Sequence, residues 1–149
     1  LGGKMTALGG DALRGLELFI ELNCISCHTG PSVGGTMYQK LGSVKKYETK
    51  DEGRFKITAN PEDKFVFKVP GLRNVTKTAP YLHDGSSKTL DDVLNVMATY
   101  QLAKGSLTDD ERKYLTAFLE SLEGKPDAAY IAKPELPPNG PETPGPDPS

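Results

Sequence analysis

The chain has 149 residues, 36% of them hydrophobic, and a net charge of −2, which suits one compact domain rather than several. No apolar run approaches the roughly eighteen residues that a membrane span needs, so no transmembrane helix is predicted. The basic residues are scattered and tryptophan is absent, which argues against a nucleic-acid-binding protein.

The first predicted element is an amphipathic helix over residues 12–22. Asp11 precedes it as a candidate N-cap, and Asn23 is expected to end it. Its apolar side chains recur at helical spacing and would face a core, namely Leu13, Leu16, Phe19 and Ile20. The helix therefore leads directly into the segment that begins at Cys24.

Residues 24–28 have the sequence Cys-Ile-Ser-Cys-His, the spacing by which c-type haem is attached. The thiols of Cys24 and Cys27 would add to the two vinyl groups of the porphyrin and become thioethers. His28 would then lie under the ring, where an imidazole nitrogen can bind the iron as an axial ligand. The segment predicts one covalent haem c, and it uses both cysteines, so no disulfide framework remains.

Three other uses of these residues are weaker. A dithiol redox motif requires a preceding strand, which the sequence before Cys24 lacks. A zinc site could use both cysteines with His28 and His83, but the adjacent Cys27 and His28 are awkward as joint tetrahedral ligands. A disulfide across a two-residue gap would close a small, strained ring.

Residues 29–70 are predicted to form a long irregular region. Glycine and proline dominate its first part, at Gly30, Pro31, Gly34, Gly35 and Gly42. That part, residues 29–50, could supply a backbone carbonyl to the second imidazole nitrogen of His28. Residues 65–69 are apolar apart from Lys68 and are predicted to form either a strand or an extended core segment. Residues 71–88 are predicted to form a loop on the far side of the haem.

Two more helices are predicted from capping boxes. Thr89 and Asp92 begin the first, Gly105 ends its segment, and its apolar face carries Leu90, Val93, Leu94, Met97 and, a turn later, Tyr100. Thr108 and Glu111 begin the second in the same way. Its broad apolar stripe contains Tyr114, Leu115, Phe118, Leu119 and Leu122, and Gly124 is expected to stop it.

The composition changes after this last helix. Seven of the twelve prolines lie in residues 134–149, which predicts a polyproline-like or disordered tail. The expected organisation is an N-terminal extension at residues 1–10, a haem domain at residues 11–124 and a Pro-rich tail at residues 125–149.

The second axial ligand decides the chemistry, because a haem with two strong protein ligands transfers electrons whereas an open haem binds peroxide or gases. The candidates are His83 and the methionines Met5, Met37 and Met97. Met5 lies in a terminus that is costly to order, and Met37 is too near His28 in sequence to cross the ring. Spacing alone leaves His83 and Met97 as nearly equal candidates.

Three longer runs carry a family resemblance. They are RGLELFIELNCISCHTGPSVGG at residues 14–35, FKVPGLRNVTKTAPYLHDGSSKTLDDVLNVM at residues 67–97 and LTDDERKYLTAFLESLEG at residues 107–124. These runs resemble the second haem domain of the bacterial di-haem cytochrome c peroxidases, close to the related methylamine-utilisation enzymes. The resemblance implies an all-α cytochrome c fold, with the first and last helices packed near the haem edge.

The resemblance also implies roles for individual residues. In that family this domain holds the high-potential haem that receives electrons, and the iron ligands correspond to His28 and to Met97, fourteen residues after the histidine of the HDG motif. Backbone carbonyls of Thr78 and Pro80 correspond to ligands of a calcium ion between the two haem domains. The family's peroxide-binding haem lies in a separate domain with its own CxxCH motif, and this chain has one such motif.

We therefore expect one-electron transfer through a His28/Met97 haem c, in the domain through which electrons enter a di-haem peroxidase or in an isolated relative of it. The alternative is a single-haem peroxidase with an open distal site and His83 as acid–base catalyst. Expected partners are a small cytochrome or copper protein as donor and a peroxidatic haem domain as acceptor. No nucleic acid partner is expected.

Charge and location complete the expectations. Residues 1–80 have a net charge of +4 and residues 81–149 one of −6, so the positive half could steer an acidic redox partner. Haem c is assembled outside the bacterial cytoplasm, which predicts a periplasmic protein. Residues 1–10 lack the basic and apolar regions of a signal peptide and do not begin with Met, which suggests a processed protein or a fragment.

Overall fold

The computed structural model describes residues 8–146. Its elements are helix α1 at Gly10–Glu21, strand β1 at Tyr38–Lys40, the short helix α2 at Phe55–Thr58, strand β2 at Val66–Lys68, helix α3 at Leu90–Tyr100 and helix α4 at Asp109–Ser121. Single turns of 3-10 helix lie at Cys24–Ser26, Pro61–Asp63 and Val75–Lys77. No described helix has the length and apolar composition needed to cross a membrane.

The core lies where the first and last long helices cross. A Cβ atom at Gly15 of α1 would be 1.9 Å from the carbonyl oxygen of Tyr114 in α4, so only glycine allows this approach. The ring of Phe19 packs 5.1 Å from that of Phe118, centroid to centroid. Both rings are about 5% exposed. This agrees with the predicted packing of first helix on last.

The predicted helix starts are confirmed for α3 and α4 and wrong for α1. Thr89 and Thr108 each cap their helix through a complete capping box, with Asp92 and Glu111 as the reciprocal partners. The N-cap of α1 is Gly9 and makes no side-chain cap, so Asp11 lies inside the first turn instead. There its carboxylate still favours the helix N-terminus electrostatically. It also pairs with Lys113 of α4 at 2.9 Å.

The fold departs from the all-α class by one small antiparallel sheet. Strand β1 pairs with β2 so that Gln39 lies opposite Phe67. Residues directly opposite each other on paired strands project from the same face of the sheet. Gln39 and Phe67 therefore share one face, and both line the cavity described below. Of the two readings of residues 65–69, the strand is correct. The sheet gives the otherwise irregular region of residues 29–70 a fixed wall.

Beyond α4, residues 125–146 are exposed and contain neither helix nor strand. The side chains of Tyr130 and Leu136 are 89% and 75% exposed, so this segment adds nothing to the core. The predicted boundaries at residues 11, 124 and 125 stay predictions.

Candidate haem site

One deep cavity of about 610 Å³ separates α3 from the segment that follows α1. Cys24, Cys27 and His28 lie on its lining, and so do Met97 and His83. The rest of the lining is mostly apolar and includes Phe19, Leu22, Val75, Leu90, Val93, Leu94, Leu115 and Leu119. Met37 is not among the described residues that line it, and Met5 lies outside the described residues.

The two thiols are presented by a tight turn. Asn23 ends the run of α1 in a left-handed conformation, with φ 62°. The amides of Cys27 and His28 then both donate to the carbonyl of Cys24, at 3.3 and 3.0 Å. Both thiols are free and half-buried. Burial raises the pKa of the Cys24 thiol to about 11, which keeps it protonated and uncharged at neutral pH.

The imidazole of His28 is held in a single tautomer. Its Nδ1 lies 3.2 Å from the carbonyl oxygen of Pro70. Because a carbonyl only accepts, Nδ1 carries the proton and donates, which leaves the lone pair of Nε2 free to bind a metal. Burial lowers the pKa of His28, against the opposing effect of that carbonyl, and so favours the neutral imidazole that a metal requires.

The carbonyl that orients His28 comes from a different place than predicted. The sequence pointed to residues 29–50, whereas the carbonyl in the structure is that of Pro70, two residues after β2. Pairing of the strands draws Pro70 across Gly34, where a Cβ would be 2.1 Å from the Pro70 oxygen and 3.1 Å from His28 Nδ1. Gly34 also has φ +126°, a conformation that side chains disfavour. The glycine pair at residues 34–35 was the one sequence signal for this close approach.

Met97 lies on the lining of the same cavity, on α3. It is half-buried on α3, on the face that carries Leu90, Val93 and Leu94, all of which also line the cavity. Its carbonyl accepts a hydrogen bond from the amide of Gln101 at 3.0 Å, which continues the helical pattern past Tyr100. A thioether on a rigid helix is thus available to the same cavity as the imidazole of His28.

His83 is at the rim of the cavity and already has a partner. Its Nδ1 lies 2.5 Å from Oδ2 of Asp51, and its ring packs 5.4 Å from that of Phe67. The His83 side chain is 71% exposed, whereas that of Asp51 is 12% exposed. Burial raises the pKa of Asp51, but hydrogen bonds from His83 and from the Gly53 amide outweigh it and lower the pKa overall. Sequence reasoning missed Asp51 because it is 32 residues from His83.

The backbone at Thr78 and Pro80 also lies on the lining, and both residues are exposed. The amide and the hydroxyl of Thr78 both donate to the carbonyl of Val75, at 3.1 and 2.9 Å, so of its polar groups the hydroxyl and the amide already have a partner. Within residues 8–146 no three His, Cys, Asp or Glu side chains form a group that could hold a metal ion. Two carbonyls alone form only part of a calcium cage.

The donors around the cavity therefore suit a haem c. Two adjacent free thiols can form thioethers, a neutral imidazole has its Nε2 lone pair free, and the surrounding surface is largely apolar. A second donor of thioether type lies on α3. A zinc site fits less well, because the site brings no third cysteine and His83 is bound to Asp51.

Comparison with known proteins agrees with this geometry. The sequence profile of the Cytochrome c family matches residues 12–123, most of the chain. The chain belongs to the cytochrome c family, and membership implies a covalently bound haem c.

Several relatives of the chain are named cytochrome c peroxidases or MauG. A cytochrome c551 peroxidase of Nitrosomonas europaea is 44% identical over 97% of this chain and 43% of that protein. The cytochrome c peroxidase Ccp of Escherichia coli is 39% identical over 83% of this chain and 28% of its own length. The methylamine utilization protein MauG of Methylorubrum extorquens is 30% identical, over 91% of this chain and 40% of that protein. These names agree with the resemblance to the di-haem peroxidases.

A solved structure shares the fold. It is the crystal structure of a MauG-like protein associated with microbial copper homeostasis, with a TM-score of 0.68 and 26% identity over 85% of this chain and 50% of that one. The chain thus spans half or less of the length of the relatives named here.

Proposed function

We propose that this protein transfers single electrons through one haem c, bound covalently by Cys24 and Cys27 and ligated axially by His28 and Met97. The observation that carries the proposal is the hydrogen bond from His28 Nδ1 to Pro70, because it frees Nε2 towards the cavity that Met97 also lines. A haem with two protein ligands supplies reversible one-electron chemistry at iron, and a thioether ligand favours the reduced state.

The chain's own residues supply attachment, orientation and a dry environment. The thioethers of Cys24 and Cys27 fix the ring at the end of α1, and Pro70 fixes the orientation of the imidazole. The apolar side chains of α3 and α4 keep water from the ring, which influences the potential. Nothing in this arrangement requires a proton to move during turnover.

The proposed context is a di-haem cytochrome c peroxidase or an isolated relative of one. Residues 11–124 would form the domain through which electrons enter. An N-terminal extension of residues 1–10 would precede it, and the Pro-rich tail of residues 125–149 would follow it. A small cytochrome or copper protein would be the donor and a peroxidatic haem domain the acceptor. The names of the relatives support this context, and a haem c protein of this kind would work in the periplasm.

One observation favours a second candidate, a single-haem peroxidase. His83 and its carboxylate partner Asp51 line the same cavity as His28, so an imidazole oriented by a largely buried carboxylate lies at the rim of the proposed haem cavity. Such a pair could move protons to and from peroxide if Met97 left the iron. The exposure of His83, at 71%, makes the site wetter than acid–base catalysis at a haem favours.

We propose that this chain supplies only part of a calcium site. The carbonyls of Thr78 and Pro80 would be two ligands of an ion whose remaining oxygen donors come from water or from another domain. The chain by itself should then bind calcium weakly.

The deciding experiment compares two variants of the haem-loaded protein. Met97→Ala should abolish the weak far-red sulfur-to-iron band of the ferric state and raise reactivity with peroxide, because it opens one iron position. His83→Ala should leave the band and the slow peroxide reaction nearly unchanged. The opposite pattern, with the band lost only in His83→Ala, would overturn the ligand assignment.

A further inference from the structure

The side chain of Gln101 connects the end of α3, the helix that carries Met97, to residues 40–43. Gln101 follows directly after α3, and its amide group contacts residues about sixty positions earlier in the chain. Its Oε1 accepts from the amides of Gly42 and Ser43, at 2.7 and 3.0 Å, and from the Ser43 hydroxyl at 3.3 Å. Its Nε2 donates to the carbonyl of Lys40 at 3.1 Å. Both ends of the amide are thus used.

Neighbouring contacts strengthen the same junction. The amides of Val44 and Lys45 lie 3.1 and 3.3 Å from the carbonyl oxygen of Tyr100 and donate to it. The rings of Tyr47 and Tyr100 pack edge to face at 5.0 Å. We call residues 40–47 the cover segment, because Leu41, Ser43 and Tyr47 all line the haem cavity. After Lys40, the end of β1, the cover segment contains no helix or strand, so it is held by these contacts together with the hydrogen bond from the Leu41 amide to the carbonyl of Phe65 at 2.9 Å.

The cover segment cannot easily hold itself. It turns at Gly42, with φ +79°, where a Cβ would be 2.6 Å from the amide nitrogen of Tyr47. The amides of Gly42 and Ser43 have their partner in Gln101 rather than within the segment. Gln101 is therefore the partner of the first part of the cover segment, and a loop opens more readily when a partner of its backbone is lost.

Gln101 also forms a backbone hydrogen bond with the proposed iron ligand, Met97. The backbone amide of Gln101 donates to the carbonyl of Met97 at 3.0 Å, one helical turn earlier. The last turn of α3 therefore bears Met97 on the cavity side and holds the cover segment through Gln101.

We propose that Gln101 is a positioning residue that latches the cover segment onto α3, and thereby keeps the haem cavity closed and Met97 in place against competing ligands. The latch is a property of the chain, whereas its effect on Met97 rests on the proposed function. Glutamine suits the role because one group must both accept from two amides and donate to a carbonyl.

The variants are chosen to separate the amide group from the size of the side chain. Gln101→Leu keeps a similar volume and loses all four side-chain hydrogen bonds. Gln101→Glu keeps the oxygen that serves Gly42 and Ser43 but loses the donor to the Lys40 carbonyl, so it should rescue the latch only in part. Thr99→Ala is the matched control, since its hydroxyl bonds Gly105 at 3.1 Å on the same end of α3 without touching the cover segment.

The first measurement follows the latch itself in the haem-loaded protein. Amide hydrogen exchange at Gly42 and Ser43, and tryptic cleavage after the exposed Lys45 and Lys46, should each accelerate about tenfold or more in Gln101→Leu, because all four side-chain hydrogen bonds of Gln101 are lost. Thr99→Ala should stay within about threefold of the parent protein, and Gln101→Glu should lie between the parent and Gln101→Leu. Unchanged exchange and cleavage in Gln101→Leu would overturn the proposal.

The second measurement follows the ligand. Imidazole should displace Met97, and so remove the far-red band, in Gln101→Leu at about one tenth of the concentration that the parent needs, with Gln101→Glu between the two. Faster exchange with an unchanged displacement would overturn the coupling to Met97. If the parent itself lacks the far-red band, the proposed ligation fails, and the exchange data still decide whether the latch exists.

Discussion

At the scale of single residues, the iron ligands set what the haem can do. Met97 reaches the cavity from α3, whereas Met37 is outside the cavity lining and uses its backbone carbonyl to accept from the Val69 amide at 2.9 Å. His83 is bound to Asp51 at the rim. The positions of these three side chains therefore favour Met97 as the partner of His28, and they do so independently of family resemblance.

The matching prediction concerns potential. Met97→His should keep a closed, six-coordinate haem and lower the reduction potential by on the order of 0.1–0.2 V, part of the roughly 0.8 V that axial ligands span, since imidazole favours ferric iron more than a thioether does. Redox titration followed in the visible spectrum measures it. Met37→His is the control and should leave the potential unchanged. A shift of equal size in both variants would count against Met97.

At the scale of elements, the crossing of α1 and α4 holds the site together. Phe19 of α1 packs 5.1 Å from Phe118 of α4 and 6.3 Å from the His28 ring, so the helix crossing and the haem ligand share one aromatic contact. The approach of the two helices depends on Gly15. A change at that glycine should therefore disturb both stability and the ligand.

We predict that Gly15→Ala lowers the free energy of unfolding by about 1–3 kcal/mol, as overpacking does, even though alanine is otherwise favoured by about 1 kcal/mol in a helix. The clash lies with the backbone oxygen of Tyr114, which cannot rotate away. Denaturant unfolding of the haem-loaded protein measures it. Gly124→Ala, where an added Cβ meets nothing within 4 Å, is the control. Equal stability of the two variants would show that the helices can separate at little cost.

At the scale of the whole molecule, the charge is divided along the chain. The first eighty residues have a net charge of +4 and the remainder −6. Lys40 and Lys68 lie exposed on the outer face of the sheet that walls the cavity, on the positive part of the chain. An acidic donor would therefore be attracted to this face more than a basic one.

The prediction is a salt effect of opposite sign for two donors. Electron uptake from an acidic redox protein should slow as ionic strength rises towards physiological values, where screening acts over about 8–10 Å, whereas uptake from a basic one should not slow. Stopped-flow reduction at several salt concentrations measures both rates. An uncharged small reductant serves as the control. A flat dependence for the acidic donor would remove electrostatic steering from the account.

The sequence by itself determined what depends on near neighbours. Thr89 with Asp92 and Thr108 with Glu111 specify helix starts because each pair lies within one turn. The segment from Cys24 to His28 is enough to predict covalent haem, since its spacing matches the porphyrin. Even here locality has limits, because Asp11 suited a cap by residue type while the backbone placed Gly9 in that position.

Only the tertiary structure decided the partners that lie far apart along the chain. Pro70 orients His28 across 42 residues, Asp51 holds His83 across 32, and Gln101 holds Gly42 across 59. Each contact depends on backbone groups or on side chains with many alternatives, so no local pattern selects it. The strands and the α1–α4 crossing bring these groups together because hydrophobic burial is non-directional, and the polar groups then pair with whichever partners the packing places beside them.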